Sequence, residues 1–225
     1  MEEQDSGLSE ALPEGEREYA AMKHSAGAPV LQFARPSEAH RMLVTVSPVG
    51  AMAVTAMIIT AGGLLAGAMT SLLSWELPVF ILFERALLAS LGGAAAWGLA
   101  RASGSRVPLV PGMQSAFMSM TVWVLGVSVL MLLSRAFGIS SGFSWSAGEL
   151  AGPLAGTRAG LFLLLVLVNL DIVSIATVFV WGKGLSSVWG TSPSFGIRMA
   201  WAVYLFAVVL QAVPILFHIE AGKVG

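Results

Sequence analysis

The chain has no cysteine, which excludes disulfides, thiolate metal sites and a cysteine nucleophile. Charge is scarce: 11% of the 225 residues are charged and 56% are hydrophobic, with a mean hydropathy of +0.80, whereas soluble domains carry about a quarter charged residues. The formal net charge of −1 creates no basic field for nucleic acid, so no nucleic-acid partner is expected. H-E-x-x-H, P-loop and spaced metal-ligand patterns are missing, and with them any signature of a hydrolase, nucleotide or zinc site, or of a cofactor. The basic start and nearby apolar run of a cleavable signal are missing too, which predicts that the amino terminus is retained.

What the sequence has is long apolar runs, two of them interrupted by charge, at Glu84 and Arg85 and at Asp171. A spanning helix needs about 20 apolar residues, and the charges mark five such stretches: residues 49–73, 77–100, 108–134, 160–181 and 199–217. They predict an all-α fold, a polytopic membrane helix bundle with five transmembrane helices. Five spans put the termini on opposite sides. With the amino terminus in the cytoplasm, Lys23, Arg35, Arg41, Arg101, Arg106, Lys183 and Arg198 fall inside, against Arg85, Arg135, Arg158 and Lys223 outside, the orientation favoured by the positive-inside rule. Arginine outnumbers lysine among many Gly, Ala, Leu and Val residues, a composition that suggests a GC-rich bacterial genome and hence a bacterial inner membrane.

Seven of the thirteen acids, Glu2, Glu3, Asp5, Glu10, Glu14, Glu16 and Glu18, lie in the first eighteen residues. That stretch has too little apolar surface for a core, so residues 1–32 read as a disordered acidic cytoplasmic tail. Residues 33–217 form the five-helix domain and 218–225 a short polar tail. At the start of the domain, RPSEAHRMLVTVSP places Ala39, Met42, Leu43 and Val46 on one helical face, with Glu38, His40, Arg41 and Thr45 elsewhere. This is either a short interfacial helix whose basic residues meet anionic headgroups or the solvated first turns of the first span.

The fourth run, LFLLLVLVNLDIVSIATVFVWGKG, contains Asn169 and Asp171. An ionised carboxylate at the centre of a spanning helix costs roughly 2.5 to 3.5 kcal/mol. Asp171, Ser174 and Thr177 share a helical face, whereas Asn169 points away from it. Asp171 is either a proton, cation or substrate site, or an interhelical bonding group paired with Glu84 or Arg85 of the second span. Glu84 and Arg85 themselves, adjacent in sequence, project to different sides, and the long Arg85 stem can snorkel to the interface. GISSG at 138–142 matches the form of a serine nucleophile elbow without the strand, acid and histidine such a site needs. Gly63 with Gly67, and the small residues from Gly92 to Gly98, permit close helix approach.

The order of these features resembles the Yip family, the Ypt-interacting multi-pass membrane proteins, in its short bacterial form. The resemblance is carried by the proline-led stretch before the first span, by VPGMQSAFMSM opening the third, and by NLDIVSIATVFVWGKGLSSVWGTSPSFGIRMAW joining the fourth and fifth. It implies five spans, a cytoplasmic amino terminus and a non-enzymatic role in organising membrane or assembling with lipids and membrane proteins, a homo-oligomer included. It nominates Asp171, Lys183, Gly184 and Gly190 as family-like positions. The alternative is a permease-like transporter subunit with Asp171 and Asn169 in a polar pathway.

Overall fold

The structure, a computed structural model, describes residues 14–70, 76–137 and 158–221. These residues form helices α1 (Glu14–Ser25), α2 (Ala28–Leu31), α3 (Pro36–Thr45), α4 (Pro48–Thr70), α5 (Glu76–Ala102), α6 (Leu109–Ala136), α7 (Arg158–Val168), α8 (Ile172–Trp189) and α9 (Pro193–Ala221). Among them, α4, α5, α6, α8 and α9 are long and apolar enough to cross a membrane. The protein is a multi-pass all-α bundle. Proline opens α3, α4 and α9, where its missing N–H would have no intrahelical partner anyway and its fixed φ suits the first turn.

The fourth span is not the one expected. In place of a continuous helix over 160–181, the chain breaks at Asn169 and Leu170, and α8 starts only after Asp171. The eleven residues of α7 cover about 16 Å, half of a ~30 Å hydrocarbon layer. The eighteen of α8 cover about 27 Å and form the span. Hydrophobicity alone favours the earlier window. Polar backbone and a carboxylate at the break decide for the later one, because both are costly at the bilayer centre.

Helix α8 is central, packing on α9, α6 and α3, while α6 also packs on α5 and α4, and α7 lies against α9. The interior is built from small and aromatic side chains, including Ala39, Ala96, Ala200, Met118, Leu185, Trp181 and Trp189. Phe80, Phe83, Leu91, Val129, Phe206 and Leu210 are exposed, the expected face toward acyl chains rather than a failed core. At the end of α8, Gly190 adopts φ 63° and its N–H donates to the Ser186 carbonyl. Only glycine takes this left-handed cap readily, and it turns the chain directly into α9.

The amino-terminal segment departs from the expected tail. Residues 1–13 lie outside the described residues, but 14–31 are helical apart from a short turn, and Ser25 and Gln32 are fully buried. The Gln32 amide donates to the carbonyls of Pro29 (2.8 Å) and Met118 (3.1 Å) and to the Thr121 hydroxyl, fastening this segment to α6. At the other terminus α9 continues to Ala221, so 218–221 is helix rather than tail.

Helix α3 forms where the sequence places it, but its inward face differs. Ala39, Leu43 and also His40 are buried, and the helix docks on α8 and α6 instead of lying free along lipid. The Ser187 hydroxyl donates to the Ser37 carbonyl (2.5 Å). Arg41 and Thr45 are exposed, and Arg35 pairs with Glu38 at 3.3 Å. The partner of His40 explains the misreading: its Nδ1 lies 2.9 Å from the Ser115 hydroxyl inside the bundle, so a side chain assigned to water by helical phase has a polar receptor in the core.

Candidate functional site

Asp171 is the N-cap of α8. Its Oδ1 accepts from the Ser174 N–H (2.8 Å) and its Oδ2 from the Ser174 hydroxyl (2.6 Å). The carboxylate thus satisfies one of the unpaired N–H groups at the helix start and faces the positive end of the helix dipole. This, together with its place at the end of the span, offsets the expense of a charge in this segment. Thr177 does not extend a polar stripe from it, because its hydroxyl bonds back to the Val173 carbonyl (2.8 Å). Asn169 is tied into the break: its N–H donates to the Val166 carbonyl (3.2 Å) and its carbonyl accepts from the Tyr204 hydroxyl. Asp171→Ala is expected to lower stability by about 1 to 2 kcal/mol, whereas Asp171→Asn keeps most of the cap. Thermal unfolding in detergent measures both, and equal losses for the two variants would contradict the capping role.

Glu84 and Arg85 do not diverge as adjacent helix positions suggest. Arg85 Nη2 lies 3.7 Å from Glu84 Oε2, and the guanidinium stacks over the Trp123 ring at 4.0 Å from its centroid. Only 20% of the Arg85 side chain is exposed, so the long flexible stem carries the charge into the bundle rather than to the interface, and the ring supplies cation–π attraction.

These groups border one cavity of about 420 Å³ between α5, α6, α8, α9 and the break. Glu84, Arg85, Asn169 and Ser174, four of the residues singled out by sequence, line it. Asp171 is not among its lining residues and, among the described residues, makes no ion pair with Arg85. Trp123, Trp181, Tyr204 and Gln211 line the cavity too, with Ser119 and Thr177, and none of the first four had been assigned from sequence to a site with Arg85. The signal was available: α5 and α6 form a hairpin turning near residues 103 and 104, so residues about equidistant from the turn face each other, as Gly93 faces Met113 and Arg85 faces Trp123.

Comparison of the chain with family models, with curated proteins and with solved structures yields no match.

Lys183, Gly184 and Gly190 sit toward the opposite end of α8, away from the cavity. Lys183 is exposed, and Gly190 forms the cap described above. Gly184 serves the docking of α3: a Cβ there would lie 2.3 Å from His40 Nδ1. His40 Nε2 is buried without a partner among the described residues, and burial lowers the imidazole pKa to about 3. The ring is therefore neutral at ordinary pH, and its role is packing and bonding rather than proton transfer. GISSG lies outside the described residues. Among the described residues, no group of acidic or histidine side chains is arranged to hold a metal ion.

Proposed function

We propose that the protein is a Yip-like, non-enzymatic membrane component that assembles with lipids and membrane proteins, further copies of itself included. The observation that carries this reading is the state of Asp171. The carboxylate best placed in sequence for coupled transport uses both oxygens on Ser174, as a structural cap does. Lys23 and Arg41 belong to α1 and α3, Arg35 precedes α3, Arg101 and Arg106 lie at and after the end of α5, and Lys183 and Arg198 lie toward the α8–α9 turn, a clustering that supports an amino terminus on the cytoplasmic side. A bacterial inner membrane fits the composition. Exposed Arg41 beside exposed Val44 suits contact with anionic headgroups.

One observation favours the permease-like alternative: the cavity combines Glu84, Arg85, Asn169 and Gln211 within the spanning region, and polar side chains at such depth commonly mark pathways. Purification of the tagged protein from its membrane in a gentle detergent, followed by mass spectrometry, separates the readings. Recovery as a homo-oligomer, or with enriched lipid or non-transport membrane proteins, is the expected result. A stoichiometric ATPase or transport subunit, together with a flux abolished by Asp171→Asn, would overturn it.

A further inference from the structure

A guanidinium carries five N–H donors. Among the described residues, Arg85 donates no hydrogen bond: its contacts are the Glu84 carboxylate at 3.7 Å, longer than a hydrogen bond, and the face of Trp123. Its Nε is buried without an acceptor, and so is Nε1 of Trp181, another residue of the same cavity wall. Both orphan groups are donors. Unmet donors in a spanning region are expensive. Arg85 lacks a hydrogen-bonded acceptor although the Glu84 carboxylate lines the same cavity, and the best further acceptor beside an arginine is an anion that can be gripped by several N–H groups at once.

The rest of the wall says what else that molecule carries. Leu88, Met120, Val203 and Val208 line the cavity beside the polar groups. A volume of about 420 Å³ lies within the range of small-molecule sites and is far more than a bare ion fills. An anionic head with attached apolar length satisfies both halves of the lining. The cavity extends from the level of Ala116 and Ser119 in α6 to Asn169 and Ser174 at the start of α8, the end of α8 remote from Gly184, where α3 docks.

We infer that this cavity holds the phosphate headgroup of a membrane lipid from the leaflet remote from α1–α3, with Arg85 as its anchor. The Trp181 N–H lies in the same wall, and the apolar residues take the glycerol and first methylenes. The inference rests on the lipid-assembling reading and gives it a particular site.

The test is native mass spectrometry of the full chain in nonionic detergent, titrated with dioleoyl phosphatidylglycerol, with dioleoylglycerol, which lacks the phosphate, and with inorganic phosphate. The expected result is one phosphatidylglycerol per protomer, at least tenfold weaker binding by Arg85→Gln, and no comparable retention of dioleoylglycerol. Ala207 is an exposed residue lining the cavity, so Ala207→Trp fills the space with Arg85 intact and is expected to block binding as well. Both variants are compared at wild-type elution volume and helical content. Wild-type binding by both variants would overturn the site, as would displacement of the lipid by millimolar inorganic phosphate, which would make it a free-anion site. Lipid enrichment without Arg85 dependence overturns the site and leaves lipid assembly standing. A stoichiometric transport subunit in the purification, together with a flux abolished by Asp171→Asn, overturns the broader reading, while Arg85-dependent binding is still read separately.

Discussion

Gly184→Ala is expected to destabilise the protein by about 1 to 3 kcal/mol, although the same exchange in an exposed helix stabilises by roughly 0.5 to 1 kcal/mol. The sign is decided by contact. An added Cβ would lie 2.3 Å from Nδ1 and 2.5 Å from Cε1 of His40, inside any tolerable separation. The ring has little room to retreat, because His40 is fully buried and its Nδ1 meets the Ser115 hydroxyl. Relief therefore means pushing α3 off α8. His40→Ala removes the obstacle, so adding Gly184→Ala to it is expected to cost almost nothing. A double-mutant cycle measured by thermal unfolding in detergent is expected to give a coupling above about 1 kcal/mol. Additive losses would show that α3 is not held by this contact.

The same histidine is expected to make stability depend on pH. Burial lowers its pKa from 6.5 to about 3, so the unfolded chain binds a proton that the folded chain refuses throughout that interval. Stability is then complete above pH 6.5 and falls as the pH drops toward 3, by about 1.4 kcal/mol per unit. Between pH 7 and 5 the wild type is expected to lose roughly 2 kcal/mol more than His40→Gln, after each is referred to its own value at pH 7. Every other group is common to the two proteins and cancels in the difference. Parallel curves would mean that His40 is not buried as a neutral ring.

Class and span number were legible in sequence because they depend on the length of apolar runs, which any membrane helix must have. The register of the fourth span was not. Between Gly160 and Trp189 lie more apolar residues than one span needs, and hydropathy sums do not register that Asp171 caps well only where a helix begins. Arg85 was read correctly as a charge needing explanation, but its direction depended on Trp123, a partner 38 positions away across the α5–α6 hairpin. His40 shows the opposite failure. Helical phase gave the apolar face of α3 but had no means of including a histidine whose receptor, Ser115, belongs to another helix. Glu84, Asn169 and Ser174 were named separately or in pairs, and only the packing of α5 and α8 with α9 put them around one cavity.

The break before α8 also matters while the chain is being made. As it leaves the ribosome, the chain offers the insertion machinery two overlapping windows, residues 160–181 and α8, of which one crossing is made. Asp171 makes the choice unequal: the earlier window would carry the carboxylate near mid-bilayer, the later one delivers it to a helix start. The residue thus acts as a register mark during biogenesis, fixing which face of α8 meets α9 and α3 before either contact has formed.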